Sequence, residues 1–453
     1  MAITVRQNST SPGIGNGHLI QSVTSNSGSR PQFRFVTDIN DKDGELLQRV
    51  KQQANPNGTG IFDLGNIIPN YLGPTDTVWD ISAATANTAC GKDFQIRFGE
   101  EYAYSSTGST AIYTGESPDA AGDPNVSGSN YIFLLDGVLN SAAMTNFNWS
   151  SGSKYDEEDT DGSSTFSYQN GLTRFNTASV RLGDYHTLSF LNGNVAGVTG
   201  SAVNNSEAQD IYAMTIRQYN SAGTLLDTDY IYNNAGPRSD QSELWDDVYQ
   251  AQNENTRLVH FPAGPENLVD SGLTLQTGLA YYTLTFNNQT IEPGINTNGV
   301  YGEYRFDITD ANCGYDGVRF AWKNEYGVWD YFNFALESST TSNVEREQFE
   351  QNFVDFSATN TVTYDRERRG FEQFQNRVNK QRTANTGYLT QDNADNLREL
   401  FYSTNVYVQR SNGEWWPVVI ESASVTEKTN PRSQKLFTYT VNWRYANDQR
   451  ARR

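Results

Sequence analysis

The feature that most limits the fold of this chain is an alternation of large apolar and polar residues with a period of two. It is cleanest near the end, where Phe437, Tyr439, Val441, Trp443 and Tyr445 occupy every second position with polar residues between them. Successive side chains of a β-strand point to opposite faces, so the pattern predicts a strand with one buried face. The alternation recurs along the chain, and we expect a mainly β protein.

Turn signals separate the predicted strands and join several of them into hairpins. Gly44 and Gly413 follow Asp43 and Asn412, and such pairs provide the positive φ that tight hairpin turns require. The 26 Tyr, 23 Phe and 8 Trp also favour pleated, half-buried surfaces. Predicted hairpins span residues 33–50, 211–228, 318–334 and 406–420, and further strands span residues 94–98, 131–135, 186–190, 282–286 and 304–308.

Helices are expected to be few and short. Residues 60–72 space apolar groups in a way that predicts a short helical turn. Thr390 is a good N-cap for a second helix that extends to about residue 402. In that helix Ala394, Leu397, Leu400 and Phe401 would share one face.

Length and charge indicate several domains. A chain of 453 residues exceeds one domain of roughly 100 to 200 residues. Residues 341–453 carry 16 Lys and Arg against 14 Asp and Glu, whereas the whole chain has a formal charge of −20, which supports a boundary near residue 340. We expect antiparallel β-sandwich domains followed by a small C-terminal α+β domain. The predicted division is a flexible N-terminal arm at 1–28, a β-rich domain with long polar loops at 29–164, a β-sandwich at 165–338 and an α+β domain at 339–453.

The overall charge and the absence of certain segments exclude some partners. A formal charge of −20 and a pI near 4.6 repel phosphate backbones, so we expect no direct nucleic-acid recognition. The first residues do not resemble a signal peptide, and no apolar run is long enough to span a membrane. Cys90 and Cys313 are far apart and do not form a disulfide framework. We therefore expect synthesis in a reducing cytoplasm without membrane insertion.

Motifs for catalysis are not evident in the sequence. His18, His186 and His260 have no metal-ligand spacing, so structural roles are favoured for them. The sequence contains neither a phosphate-binding loop nor a serine nucleophile elbow. We accordingly predict no catalytic, cofactor-binding or metal-binding residues and no cofactor.

Two other features have a binding interpretation beside a structural one. The acidic run from Asp156 to Asp161 precedes Gly162 and resembles the start of a calcium loop, with Glu157, Asp159 and Asp161 as the first ligands. Tyr168 stands where the bidentate Glu should be, which favours a solvated loop. Trp415 and Trp416 lie beside a turn and could stack on a sugar, but adjacent strand residues face opposite ways, so packing is favoured.

A longer stretch carries a family resemblance. Residues 313–334 contain a cysteine, a strand that ends at Trp322, an asparagine at 324, Gly327 and then aromatic residues around Asp330. The pattern continues through the helix at 392–401, residues 403–408 and 417–420, Lys428 and the closing strand. In this order, residues 310–448 resemble a tail or connector structural protein of phages that infect marine bacteria and Bacteroidetes. Residues 55–64 and 186–191 extend the resemblance loosely.

The resemblance implies a structural function without catalysis. A protein of this kind is a virion component in a tail, collar, head-to-tail connector or baseplate-proximal position. It is made in the host cytoplasm and forms homo-oligomeric rings with itself and contacts with other tail or connector proteins. We expect a non-enzymatic structural subunit. The alternative is a carbohydrate- or receptor-binding β protein for host adhesion, with calcium at Asp156 to Asp161.

Overall fold

The structure is a computed structural model of the chain. The residues it describes are 3–7, 13–26, 28–41, 44–72, 79–86, 90–103, 110–113, 131–138, 156–158, 167–169, 171–191, 211, 213–233, 258–287, 299–309, 317–351, 354–356, 359, 361–364, 367, 370–410, 412–422 and 437–447. Strands take 57% of the described residues and helices 7%, which confirms the expected mainly β fold. The chain forms two compact units, one of Met1–Thr309 with Trp322–Tyr331 and one of Asp310–Ala321 with Phe332–Arg453.

The strands of the first unit, in chain order, are β1 Ile3–Gln7, β2 Gly13–Asn16, β3 Ile20–Ser25, β4 Arg34–Asp41, β5 Leu46–Gln52, β6 Thr59–Asp63, β7 Thr85–Ala86, β8 Gly91–Ala103, β9 Thr110–Tyr113, β10 Tyr131–Val138, β11 Asp156–Glu158, β12 Ser167–Gln169, β13 Thr177–Val180, β14 Thr187–Leu191, β15 Ala213–Tyr219, β16 Leu225–Tyr232, β17 Leu258–Pro262, β18 Tyr281–Asn287 and β19 Gly299–Ile308. The described residues of this unit also form a 3-10 helix at Ile68–Tyr71 and helix α1 at Pro265–Asp270.

These strands form several sheets. One has the order β1-β3-β6, and a second has the order β2-β10-β8-β4-β5 with β9 paired to β8. A third has the order β14-β17-β7, and a fourth has the order β13-β19-β18-β15-β16. Most described pairs are antiparallel, and the pairs β10 with β2 and β13 with β19 are parallel. Strands β11 and β12 pair with each other.

Two of these sheets share an apolar cluster. Phe190 and Phe261, from β14 and β17, contact Phe286 of β18 with ring centroids 4.2 and 5.1 Å apart. All three rings are fully buried, and burial of such a side chain contributes about 1.5–3 kcal/mol. Two sheets that bury side chains between their inner faces are arranged as in a β-sandwich, the architecture expected for this region.

The second unit contains the short helices α2 Gln391–Leu397 and α3 Glu399–Tyr402 beside its strands. Thr390 caps α2 by accepting a hydrogen bond from the N–H of Asn393, and Ala394, Leu397 and Leu400 are buried. The predicted cap is confirmed. The expected single helix is instead two short helices, and Phe401 is only partly buried. The remaining strands are β20 Val318–Lys323, β21 Trp329–Phe334, β22 Ser339–Glu350, β23 Val354–Phe356, β24 Val362–Tyr364, β25 Phe371–Asn385, β26 Val406–Gln409, β27 Trp415–Ile420 and β28 Thr440–Tyr445.

The main sheet of this part of the chain has the order β21-β20-β26-β27-β28-β25-β22. The four predicted hairpins are all confirmed, as β4–β5, β15–β16, β20–β21 and β26–β27. The closing strand is shorter than expected, since β28 starts at Thr440 and Phe437 makes only an isolated bridge to Leu389. Phe437, Val441 and Trp443 are buried, as the alternation predicted.

The N-terminal segment differs from the flexible arm expected at residues 1–28. It contributes β1 and β3 to one sheet and β2 to another. Ile14, Leu19 and Val23 are buried there. Composition suggested an arm because the segment has few apolar residues. These few apolar residues are buried against strands from later in the chain. The composition of the segment itself does not reveal such distant partners.

The expected domain boundaries also differ from the compact units. Val259 and His260 of β17 pair with Ala86 and Thr85 of β7, so one sheet contains residues from both sides of the boundary placed at 164 and 165. The second unit begins at Asp310 and excludes Trp322–Tyr331, the middle of the β20–β21 hairpin. The predicted boundaries were based on loop composition and charge, which are properties of the protein surface. They do not show which distant strands pair.

Candidate functional site

The three histidines occupy structural positions. His18 lies at the surface, where Nδ1 is 2.7 Å from Oδ2 of Asp63. Burial raises the pKa of Asp63, but hydrogen bonds from His18 and from the N–H groups of Gly65 and Leu19 outweigh it and lower this pKa overall. The buried ring of His186 lies between Phe306 and Tyr331, with centroids 5.0 and 4.5 Å away.

His260 forms a serine–histidine pair that sequence reasoning missed. Oγ of Ser189 is 2.7 Å from Nδ1 of His260, because the two residues are direct partners across β14 and β17. Ser189 is 3% exposed and His260 is 0% exposed, so a substrate cannot reach the hydroxyl without unfolding the sheet. The residues lie 71 positions apart, and only the strand register could have indicated the contact. The pair is a cross-strand contact of the core.

The predicted binding features give no assembled site in the described residues. Glu157 pairs with Tyr168 across β11 and β12, while Asp159 and Asp161 lie outside the described residues. No group of three or more His, Cys, Asp or Glu side chains in the described ranges is placed to hold a metal ion. Among the same residues, no helix has the length and apolar character needed to cross a membrane.

Trp416, near the β26–β27 turn, is packed in contacts within its own sheet. The guanidinium of Arg410 lies 4.3 Å from the ring centroid of Trp416, and the Tyr445 ring is 5.4 Å away. Nε1 of Trp416 donates a hydrogen bond to Glu414. One face of Trp416 is thus covered by a cation, which makes this residue a poor stacking platform for a sugar.

The most unusual surface is a two-stranded extension of the main sheet of the C-terminal part. β22 and β25 pair antiparallel from Ser339 opposite Thr383 to Glu350 opposite Phe371. Only Arg382–Asn385 of β25 pair with the next strand, β28. We call residues 341–350 and 371–381 the ribbon. With a rise of about 3.3 Å per residue, its ten-residue strand extends roughly 30 Å past the last β28 pair.

The ribbon is exposed on both faces. Every residue of the 12-residue strand β22 is exposed, including Val344 and Phe349, and Phe371 and Phe374 are 68% and 49% exposed. A register shift between Glu347 and Gln348 leaves Phe374 as an extra residue of β25, and its ring lies 6.2 Å from that of Phe349. Most other strands with described side chains contain buried residues, so the ribbon departs from that pattern.

Little within the described chain stabilises the ribbon. A two-stranded sheet is marginally stable in water, and each cross-strand pair contributes only about 0.2–1 kcal/mol. The exposed ion pair of Arg377 and Glu345, 3.9 Å apart, adds at most about 1 kcal/mol. β22 is the last strand of its sheet, so in the described residues its outer backbone edge has no strand beside it. Such an edge is a template for pairing with another chain.

The ribbon has no strand signal in its sequence. Its residues are mainly Glu, Gln, Asn, Arg, Ser and Thr, and a strand without a buried face has no apolar alternation to detect. The only sequence feature that could have indicated these strands is that Val, Thr and Phe are scattered through two polar segments of similar length.

No protein-family model matches the chain, and no curated protein matches it in sequence.

Proposed function

We propose that this chain is a non-enzymatic structural subunit of a bacteriophage particle, in a tail, collar or baseplate-proximal position. The observation that supports an assembly role is the ribbon, which exposes both faces and carries apolar side chains such as Phe371 into solvent. A segment of this kind is stabilised when a partner covers it, and protein–protein contact is the function its geometry supports.

The phage assignment is supported by the resemblance of residues 310–448 to tail and connector proteins. This stretch contains the ribbon, although the residues that carry the resemblance lie in the flanking hairpins and helices. The negative charge of −20 supports a role in contact with proteins and not with the genome. Homo-oligomerisation and contacts with other tail proteins belong to the same proposal.

The proposal predicts that purified particles of the phage that encodes this chain contain it in a fixed number of copies. Quantitative mass spectrometry of gradient-purified particles measures that number, and labelling with an antibody against the chain locates it by electron microscopy. A phage with the gene disrupted should yield no complete infectious particles. Infectious particles that lack the chain would contradict the proposal.

The receptor-binding alternative makes a different prediction. Calorimetry of the purified chain with host surface glycans, with and without calcium, should show no binding if the chain is an assembly subunit. Saturable binding by the isolated monomer would favour the adhesion function instead.

A further inference from the structure

We propose that the ribbon is the interface between copies of this chain, and that the outer edge of β22 in one copy pairs with the outer edge of β25 in the next. This inference deepens the proposed assembly function and rests on it. It names a second copy of the chain as the partner and a continuous antiparallel sheet as the form of contact.

The backbone geometry is compatible with this pairing between the base of the ribbon and the register shift at Phe374. β22 and β25 run in opposite directions within one ribbon. When ribbons lie side by side in the same orientation, β22 of one copy lies beside β25 of the next, and these strands are again antiparallel. Among the described residues no further strand covers the outer edge of 341–350 or of 371–381, since β28 pairs with β25 only at Arg382–Asn385. Each new contact would satisfy the outward N–H and C=O groups of two strands.

The two edges carry complementary charge. Within the ribbon, β22 has three glutamates and one arginine, whereas β25 has one glutamate and two cations, Arg377 and Lys380. Glu345 and Glu347 share one face of β22, and Arg377 is the direct partner of Glu345 on that face. In the side-by-side arrangement Arg377 of the next copy lies beside these glutamates. Opposite charges across a strand pair stabilise it, and like charges destabilise it.

The apolar side chains fit the same arrangement. Val344 is opposite Val378 within the ribbon, on the face that Glu345 does not occupy. Addition of the next ribbon places a second Val378 on the other side of Val344, so an exposed valine becomes flanked by valines. Exposed apolar residues on a strand edge otherwise promote uncontrolled aggregation, which the interspersed charges limit.

Charge complementarity also selects a copy of the same chain in a head-to-tail contact. Pairing β22 with β22 would bring glutamates together, and the acidic edge and the basic edge would each lack an opposite partner. A contact between two different edges is heterologous, and such contacts generate closed rings when the rotation closes. A single kind of edge contact is therefore sufficient for the ring that the family resemblance implies, provided that the rotation between copies closes.

The test uses charge reversal in the full-length chain. The first variant is Glu345→Lys with Glu347→Lys, which makes the β22 edge basic. The second is Arg377→Glu with Gln375→Glu, which makes the facing positions of β25 acidic, since Gln375 is the partner of Glu347. Sedimentation velocity at low ionic strength measures the oligomer. We expect the wild-type chain to form oligomers, each variant alone to sediment as a monomer, and their equimolar mixture to regain oligomers.

A third variant and a control separate this contact from general charge effects. The chain with all four substitutions has opposite charges within and between ribbons, and it should form oligomers alone but not with the wild type. The control reverses two exposed acids outside the ribbon, Glu45→Lys with Glu303→Lys, and should assemble like the wild type. Raised ionic strength should weaken every oligomer that depends on these charges.

Several results would overturn this inference. They are a wild-type chain that stays monomeric at high concentration, either ribbon variant assembling as the wild type does, a mixture that stays monomeric, or a control that loses assembly. Binding of the monomeric chain to a different virion protein through the ribbon would also overturn it, although the proposed function would then remain. Absence of the chain from purified particles would instead contradict the proposed function, whatever its behaviour in solution.

Discussion

Removal of the ribbon is expected to give a chain that folds but does not assemble. Thr341 and Gln381 are direct partners at the base of the ribbon, so an asparagine–glycine turn can replace residues 342–380 and close the hairpin. Every residue of β22 is exposed and the ribbon part of β25 contains no buried residue, so deletion of these two strands removes almost no buried apolar surface. We expect the unfolding midpoint in urea to stay within error of the wild type while oligomers disappear.

Two measurements on the deletion variant test its folding and its assembly separately. Near-ultraviolet circular dichroism should retain the signal of the buried aromatic rings, such as Trp322 and Trp329, which lie outside the deleted segment. Sedimentation velocity should show a monomer at concentrations where the intact chain assembles. An oligomer of unchanged size after deletion would show that another surface carries assembly.

The second large effect is expected at the turn of the β20–β21 hairpin. Gly327 has φ of +81°, and a Cβ added there would lie 2.1 Å from the carbonyl oxygen of Asp136 and 2.9 Å from the N of Gly137. Both are backbone atoms of β10 and cannot rotate away. We expect Gly327→Ala to destabilise the first unit by more than about 4 kcal/mol, because a steric clash adds to the strain of positive φ.

The matched control is Gly278→Ala. Gly278 has φ of +84°, almost the same conformation, but a Cβ there would have no atom within 4 Å. This variant should therefore show only the conformational cost of about 1–2 kcal/mol. Urea unfolding of the full chain, followed by tryptophan fluorescence, measures both. Equal losses of stability in the two variants would mean that the close approach between the turn and β10 does not restrict residue 327 to glycine.

The surroundings of Gly327 explain why the approach is close. Nζ of Lys323 is 2.5 Å from Oδ2 of Asp136, and Lys323 is buried. Nδ2 of Asn324 donates hydrogen bonds to the carbonyl of Leu172 and to Asp330. The side chain of Asn324 in turn accepts from the N–H of Tyr326, which shapes the turn. These bonds fix the hairpin middle within the first unit, and unsatisfied partners there would each cost about 1–3 kcal/mol.

The sequence was sufficient where the signal is local. Val441 and Trp443 alternate with polar residues, Gly413 and Gly44 mark hairpin turns with positive φ, and Thr390 caps its helix. In each case neighbouring residues contain the physical cause. Alternation shows which strand face is buried, and the turn residues show where the chain reverses.

The sequence was insufficient where a partner is distant or where nothing is buried. The N-terminal strands depend on partners such as β6 and β10, and the Ser189–His260 contact depends on register across 71 residues. The ribbon was missed for the opposite reason. Its strands have no buried face, so the period of two that identified other strands is absent. The candidate site is therefore the part of the fold that pattern reasoning was least able to find.

Hydrogen–deuterium exchange of the full chain tests the central claim most directly. The amides of residues 341–350 and 371–381 should exchange rapidly in the dissociated chain, because one edge of each ribbon strand faces water. In the oligomer those amides should become protected by at least about tenfold, as the edges pair with neighbouring copies, while the first unit is unchanged. Exchange of the ribbon at the same rate in both states, with protection elsewhere, would contradict the account.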